Sequence, residues 1–109
     1  MSNPVPVMDK YIEKILIATS LKPMTAAGVS KVFGIPVAIC HRKMKLLEGM
    51  GLVTCTRRIV NEEKGTVKFY KALEDKVNVE KDNGRYVVRI DVPLHVAIDI
   101  SLGWRDFVA

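Results

Sequence analysis

The spacing of apolar residues changes midway along the chain. In the first half they recur every three or four positions, as on one face of a helix; further on they alternate with polar residues, as on a strand. Ile12, Ile15, Leu16 and Thr19, with Tyr11 one turn before Ile15, predict a helix over 10 to 20 whose Lys10 and Lys14 face away. Asp9 suits its N-cap. Leu21-Lys22-Pro23-Met24 breaks it, and Thr25 caps a second helix over 26 to 33, with Ala27, Val29, Val32 and Phe33 as its apolar side. Gly28 inside that helix costs about 1 kcal/mol relative to alanine; a close approach by another helix would explain it. Gly34 suits the left-handed residue that ends a helix. Ile35 fills the corner, and Pro36 fits the first turn of a third helix over 36 to 50, where a missing N–H does no harm. Cys40, Met44 and Leu47 form its inward side, and Gly49 and Gly51 stop it.

Leu52 to Val60 is rich in β-branched residues and predicts a strand. Asn61-Glu62-Glu63-Lys64-Gly65 forms a polar turn, and Thr66 to Leu73 returns as a second strand. A second hairpin follows around Asn83-Gly84, a two-residue turn signal. With that pair as the loop, Val79 faces Val88 and Val77 faces Ile90, and the alternation continues through Tyr86 and Val92. After Pro93, Leu94, Val96, Ile98, Ile100 and Leu102 alternate strictly, which argues for a strand, although Leu94, Ile98 and Leu102 also align on a helix. Trp104 and Phe107 at the end call for burial, within the core or under a second subunit. Residues 1 to 8, held out of helix by Pro4 and Pro6, read as an extended arm, either loose or lying across a partner. The result is an α+β chain in three parts: the arm (1–8), three helices with a β-hairpin (9–73), and a β-rich C-terminal extension (74–109) with an apolar end that is a candidate dimerisation element.

Charge sharpens this picture. The 109 residues carry a net charge of +5, with 49% hydrophobic residues, enough for a core without disulfides or metal. From Lys22 to Lys71 ten Lys/Arg face three Glu, a net +7, while the remainder carries seven Lys/Arg against nine Asp/Glu, a net −2. A basic segment that coincides with the three-helix pattern points to a polyanionic partner, against the plainer reading of a solvated basic face. Two cysteines, Cys40 and Cys55, make no disulfide framework, and neither a signal sequence nor a run of about 18 apolar residues is present. The expectation is a reducing, cytoplasmic setting without membrane attachment.

The stretch from Gly34 to Leu52 carries the functional reading. At 100° per residue, Ala38, His41, Arg42 and Lys45 point away from Cys40. Glycine turn, helix with a cationic outer face, then an Arg-rich strand is the order in which a helix-turn-helix sets one helix into the major groove and continues into a β-wing. The reader positions are then Val37, Ala38, Ile39, His41 and Arg42, with Lys45 on the phosphate backbone. Apolar Val37, Ala38 and Ile39 suit thymine methyls, and equally weak base specificity or a protein partner. On the wing, Arg57, Arg58, Lys64 and Lys68 are candidate backbone contacts. Arg57 and Arg58, adjacent on a strand, point to opposite faces, and Glu62 and Glu63 repel phosphate.

Chemistry of other kinds finds little purchase. Cys40, His41, Cys55 and His95 are the only soft metal ligands; there is no CxxC or HxxxH, and Cys40 and His41 converge poorly on one ion. A Gly-rich phosphate loop, a nucleophile elbow and a convergent carboxylate pair are all missing. No enzyme activity, metal or cofactor is expected.

Val29-Ser30-Lys31-Val32-Phe33-Gly34-Ile35-Pro36, Arg42-Lys43-Met44-Lys45-Leu46-Leu47-Glu48, Gly51-Leu52-Val53 and Phe69-Tyr70-Lys71-Ala72-Leu73 together resemble the winged helix-turn-helix domains of the ArsR/MarR-like group of regulators, including many small archaeal ones. The resemblance covers about half the chain. It implies a symmetric dimer whose third helix enters the major groove beside the wing. The chain departs from ArsR sensors in lacking their cysteine-rich metal motif, and its β-like end stands where many relatives use a dimerising helix. The expected function is sequence-specific binding of double-stranded DNA by a homodimeric transcriptional regulator, with helix 36–50 as reader and hairpin 52–73 as wing. Two alternatives stay open: a winged-helix module that binds protein, and a redox- or metal-responsive sensor using Cys40 or Cys55.

Overall fold

The computed structural model describes residues 3–6, 9–63 and 65–92, with side chains for 9–63 and 65–91. Lys64, the segment from Pro93 onward with its expected strand and Trp104 and Phe107, and the rest of the N-terminal arm lie outside the described residues. The protein is α+β: β1 (Asn3–Pro6), α1 (Lys10–Leu21), α2 (Ala26–Phe33), α3 (Val37–Gly49), the hairpin β2 (Val53–Asn61) and β3 (Gly65–Ala72), then the hairpin β4 (Val77–Asp82) and β5 (Arg85–Val92).

Asp9 begins the first helix and ties it to the third. Its Oδ1 accepts the N–H groups of Tyr11 and Ile12 at 2.9 and 3.0 Å, satisfying two of the donors a helix start leaves open. Its Oδ2 accepts from the Lys43 ammonium on α3 at 3.0 Å. Lys43 is buried, its side chain only 4% exposed. Burying an ammonium is costly without an opposing charge, and this carboxylate supplies one.

α1 lies at the centre. Ile12, Ile15, Leu16, Ala18 and Thr19 are buried, and the helix packs against α2, α3 and β3 as well as against β4 and β5. The inward side of α3 is the expected one, with Cys40, Met44 and Leu47 buried. The inward side of α2 is Ala26 and Val29, with Phe33 half-buried; Ala27 and Val32 are exposed, one position out of phase with that stripe. Gly34 closes α2 at φ 68°. Gly28 has a local reason, not a neighbouring helix: a Cβ there would stand 3.1 Å from the Oγ1 of Thr25, the cap hydroxyl that accepts Gly28's own N–H.

The break after α1 does more than interrupt the helix. Met24 and Tyr70 exchange backbone hydrogen bonds of 2.9 and 2.8 Å, so the loop joins the free side of β3. The second hairpin has the expected register, Val79 opposite Val88 and Val77 opposite Ile90, around a turn with left-handed Asn83 and Gly84. Val77, Val88 and Ile90 join the same core as the helices. Part of the N-terminal arm is β1, which pairs antiparallel with β5 and gives the sheet order β1-β5-β4. Pro4 and Pro6 share one phase of this strand, and an edge strand accommodates them because alternate N–H groups point off the sheet.

Asp9 thus carries two separable loads. Asp9→Ala is expected to destabilise the fold by about 2–4 kcal/mol, combining a lost cap with a buried ammonium deprived of its carboxylate. Asp9→Ser, which keeps a capping oxygen, should lose less, and adding Lys43→Met should recover most of the remainder. Urea denaturation measures all three; an Asp9→Ala variant within about 0.5 kcal/mol of the parent contradicts the assignment.

Candidate nucleic-acid interface

α3 starts at Pro36, whose carbonyl accepts the N–H groups of Ile39 and Cys40 at 3.0 and 3.1 Å. Burial of Cys40, Met44 and Leu47 fixes its rotation and decides which side chains face outward. Val37, Ala38, His41, Arg42 and Lys45 are exposed; Ile39 is half-buried and packs against the core. Five of the six candidate residues on this helix therefore share the solvent side, and Ile39 turns inward.

On the hairpin the two arginines part company. Ladder partners share a face, and Arg57 is opposite Phe69 while Arg58 is opposite Lys68. The Arg57 guanidinium lies over the Phe69 ring, 6.0 Å from its centroid. A register shift between Cys55 and Arg57 leaves Thr56 as an extra residue, a β-bulge. The bulge exchanges the faces. Val53 and Cys55 share the side of Tyr70 and Ala72, and regular alternation would have added Arg57 to that side; after the extra residue, Arg58 takes the place. The phenol of Tyr70 registers the result: burial raises its pKa, the Glu48 carboxylate and Cys55 add to the rise, and the Arg58 charge opposes it.

The Tyr70 face and the outer side of α3 enclose a cleft of about 390 Å³. His41 and Lys45 line it from α3, Thr66, Lys68 and Tyr70 from β3, and Thr25 from the start of α2. Among the described residues no carboxylate is ion-paired with Lys45, Arg58 or Lys68. Arg58 and Lys68, directly across the ladder from one another, are like charges whose juxtaposition is unfavourable unless an anion offsets it.

This surface is narrower than the charge of the segment suggests. Lys43 is matched internally by Asp9. Lys71 donates to the Ser20 carbonyl at 3.1 Å, at the end of α1. Arg57 lies on the outer face with Phe69, and Lys64 lies outside the described residues. Lys43 was legible as an inward residue, three positions after Cys40 and one before Met44. Thr25, Thr66 and Tyr70 drew no attention as lining residues, because nothing local signals that a helix start and a strand face one another.

The thiols differ. Cys40 is buried, which raises its pKa. Cys55 is half-buried beside the bulge, its Sγ 3.4 Å from the Arg57 carbonyl that accepts from it. Among the described residues no group of three His, Cys, Asp or Glu side chains is placed to hold a metal ion, and no helix is long and apolar enough to cross a membrane. No protein-family model matches the chain, and no curated protein or solved structure does so either.

A thiol-reactive chromophore at mildly alkaline pH should therefore label one cysteine quickly in the native protein. Cys55→Ser is expected to remove that fast phase, and the Cys40 signal to appear only in denaturant. Two equally fast thiols in the native protein would contradict the burial of Cys40.

Proposed function

We propose that this protein is a winged helix-turn-helix that binds double-stranded DNA as a transcriptional regulator, with α3 as the reader helix and the β2–β3 hairpin as the wing. One observation carries the reading: His41 and Lys45 of α3 and Lys68 of β3 line a single cleft, with Arg58 across the ladder from Lys68. Cations converging from two elements without carboxylate partners among the described residues suit a phosphate backbone, which supplies the larger part of non-specific affinity. The outer face of α3 then supplies selectivity. A major groove admits one helix, and exposed Val37, Ala38, His41 and Arg42 occupy its N-terminal half, where base edges are reached. The order of elements, three helices followed by a hairpin, agrees with the resemblance to ArsR/MarR-like regulators. A homodimer reading two half-sites one helical turn apart follows from the small footprint of one reader helix.

Exposed Val37 at the head of α3 also suits a protein partner. Salt titration separates the two. Binding to a mixed DNA pool should weaken steeply with salt, with a log–log slope of about −0.9 per phosphate contacted. Lys45→Ala and Lys68→Ala should each lower that slope by about 1 and weaken binding evenly across sequences, whereas Arg42→Ala should cost about 1–3 kcal/mol and relax choice at one base pair. Salt-independent affinity, or variants indistinguishable from the parent, would refute the reading.

A further inference from the structure

We infer that the outer edge of β2 is a pairing edge for a second copy of this chain, joining two wings into one four-stranded antiparallel sheet centred on Val60. The inference goes beyond the DNA reading and does not depend on it.

A strand with one unpaired side presents a row of open backbone donors and acceptors, and proteins ordinarily blunt such edges with proline, charge or a bulge. The edges among the described residues are treated differently, and the outer side of β3 is taken up at Tyr70 by the bridge to Met24. β1, at one side of the larger sheet, carries Pro4 and Pro6, and β4, at the other, ends in Glu80-Lys81-Asp82. Among the described residues, β2 pairs only with β3, and its other side meets no strand. Its distal half, Arg57 to Asn61, follows the bulge, keeps a regular ladder with β3, and contains neither proline nor glycine. The β-branched pair Ile59-Val60 is exposed there, Val60 to 78%. The bulge and the two arginines guard the inner part of this edge, and beyond them Ile59-Val60 leave a β-branched pair open to solvent between Arg57-Arg58 and Glu62-Glu63.

Charge selects the occupant and the register. An interface about a two-fold axis uses the same patch twice, so the patch must complement itself. Along β2 and its turn, Arg57 and Arg58 lie on one side of Val60, and Glu62 and Glu63 on the other. Antiparallel pairing with Val60 on the axis brings Arg58 and Arg57 against the turn that carries the second copy's Glu62 and Glu63. Opposite charges across a ladder stabilise it, and like charges do the reverse. A register centred on Arg58 would set the Arg58 side chains of the two copies opposite one another. This arrangement also gives the acidic pair in the turn a role that phosphate contact does not.

The geometry has one further consequence. Two antiparallel strands joined edge to edge are related by an axis perpendicular to the sheet, so both copies turn the same face to the same side. The Arg58 and Lys68 faces of the two wings then lie on the same side of the joined sheet, with the acidic turn of each copy beside the arginines of the other.

Cross-linking tests the axis directly, because residues on it pair with themselves. In a Cys55→Ser background, Val60→Cys should form an intermolecular disulfide under mild oxidation, since directly opposed strand residues fall within the Cα separation a disulfide spans. Thr54→Cys, exposed on the same strand but off the axis, should form it at least tenfold more slowly. Sedimentation then tests the charges. Val60→Lys should weaken dimerisation at least tenfold. Arg57→Glu with Arg58→Glu should do the same, and so should Glu62→Arg with Glu63→Arg; all four changes together should restore it to within about threefold. Circular dichroism confirms that each variant is folded. Equal cross-linking at positions 54 and 60 would overturn the inference, as would a fourfold variant no tighter than either double one.

Discussion

One carboxylate couples the start of α1 to the middle of α3. Asp9 divides its two oxygens between the open N–H groups of its own helix and the ammonium of Lys43. The first interaction fixes where α1 begins, and the second fixes how α3 lies against it. The ion pair is also selective. Burial of Cys40, Met44 and Leu47 sets the rotation of α3, and the buried ammonium agrees with it, because only that rotation brings Lys43 to its counter-charge. With Lys43 held inward, His41, Arg42 and Lys45 have only the outward side left. The most polar contact within the helical layer thereby reinforces the rotation that turns those cations to solvent.

The wing depends on a different constraint, the parity of a strand. Position along β2 alone does not say which arginine faces α3, because one extra residue reverses the assignment for everything beyond it. Thr56 is that residue. Through it, Arg58 joins Lys68 on the cleft side, and Arg57 is left to lie over Phe69. The cleft is therefore built from two independent settings, a helix rotation set by burial and a strand phase set by a bulge. The cations that line the cleft make neither setting.

The elements with strong local signals were legible. Asp9 and Thr25 sit at the caps where a short polar acceptor before an apolar repeat places them, Gly34 takes the left-handed conformation, and Asn83-Gly84 sets the register of the second hairpin. What escaped was set by distant partners. β1 could not be read as a strand, because two prolines in four residues exclude helix without identifying a partner. The bridge between Met24 and Tyr70 joins residues far apart in the chain and leaves no trace in either neighbourhood. Ala27 and Val32 look like helix core by hydropathy, yet a helix of eight residues buries only a narrow stripe, and they lie outside it. Summed charge likewise overstated the basic surface, since summation cannot tell that Lys43 is matched within the fold.

The treatment of the two sheets bears on how far such a protein can assemble. A strand without a donor at alternate positions, as in β1, cannot extend a ladder outward, and the charged end of β4 resists the same approach. Growth into a fibre needs two adhesive sides on each molecule, so that every addition exposes a new one. The prolines near the amino terminus therefore act as a terminator for that side of the larger sheet.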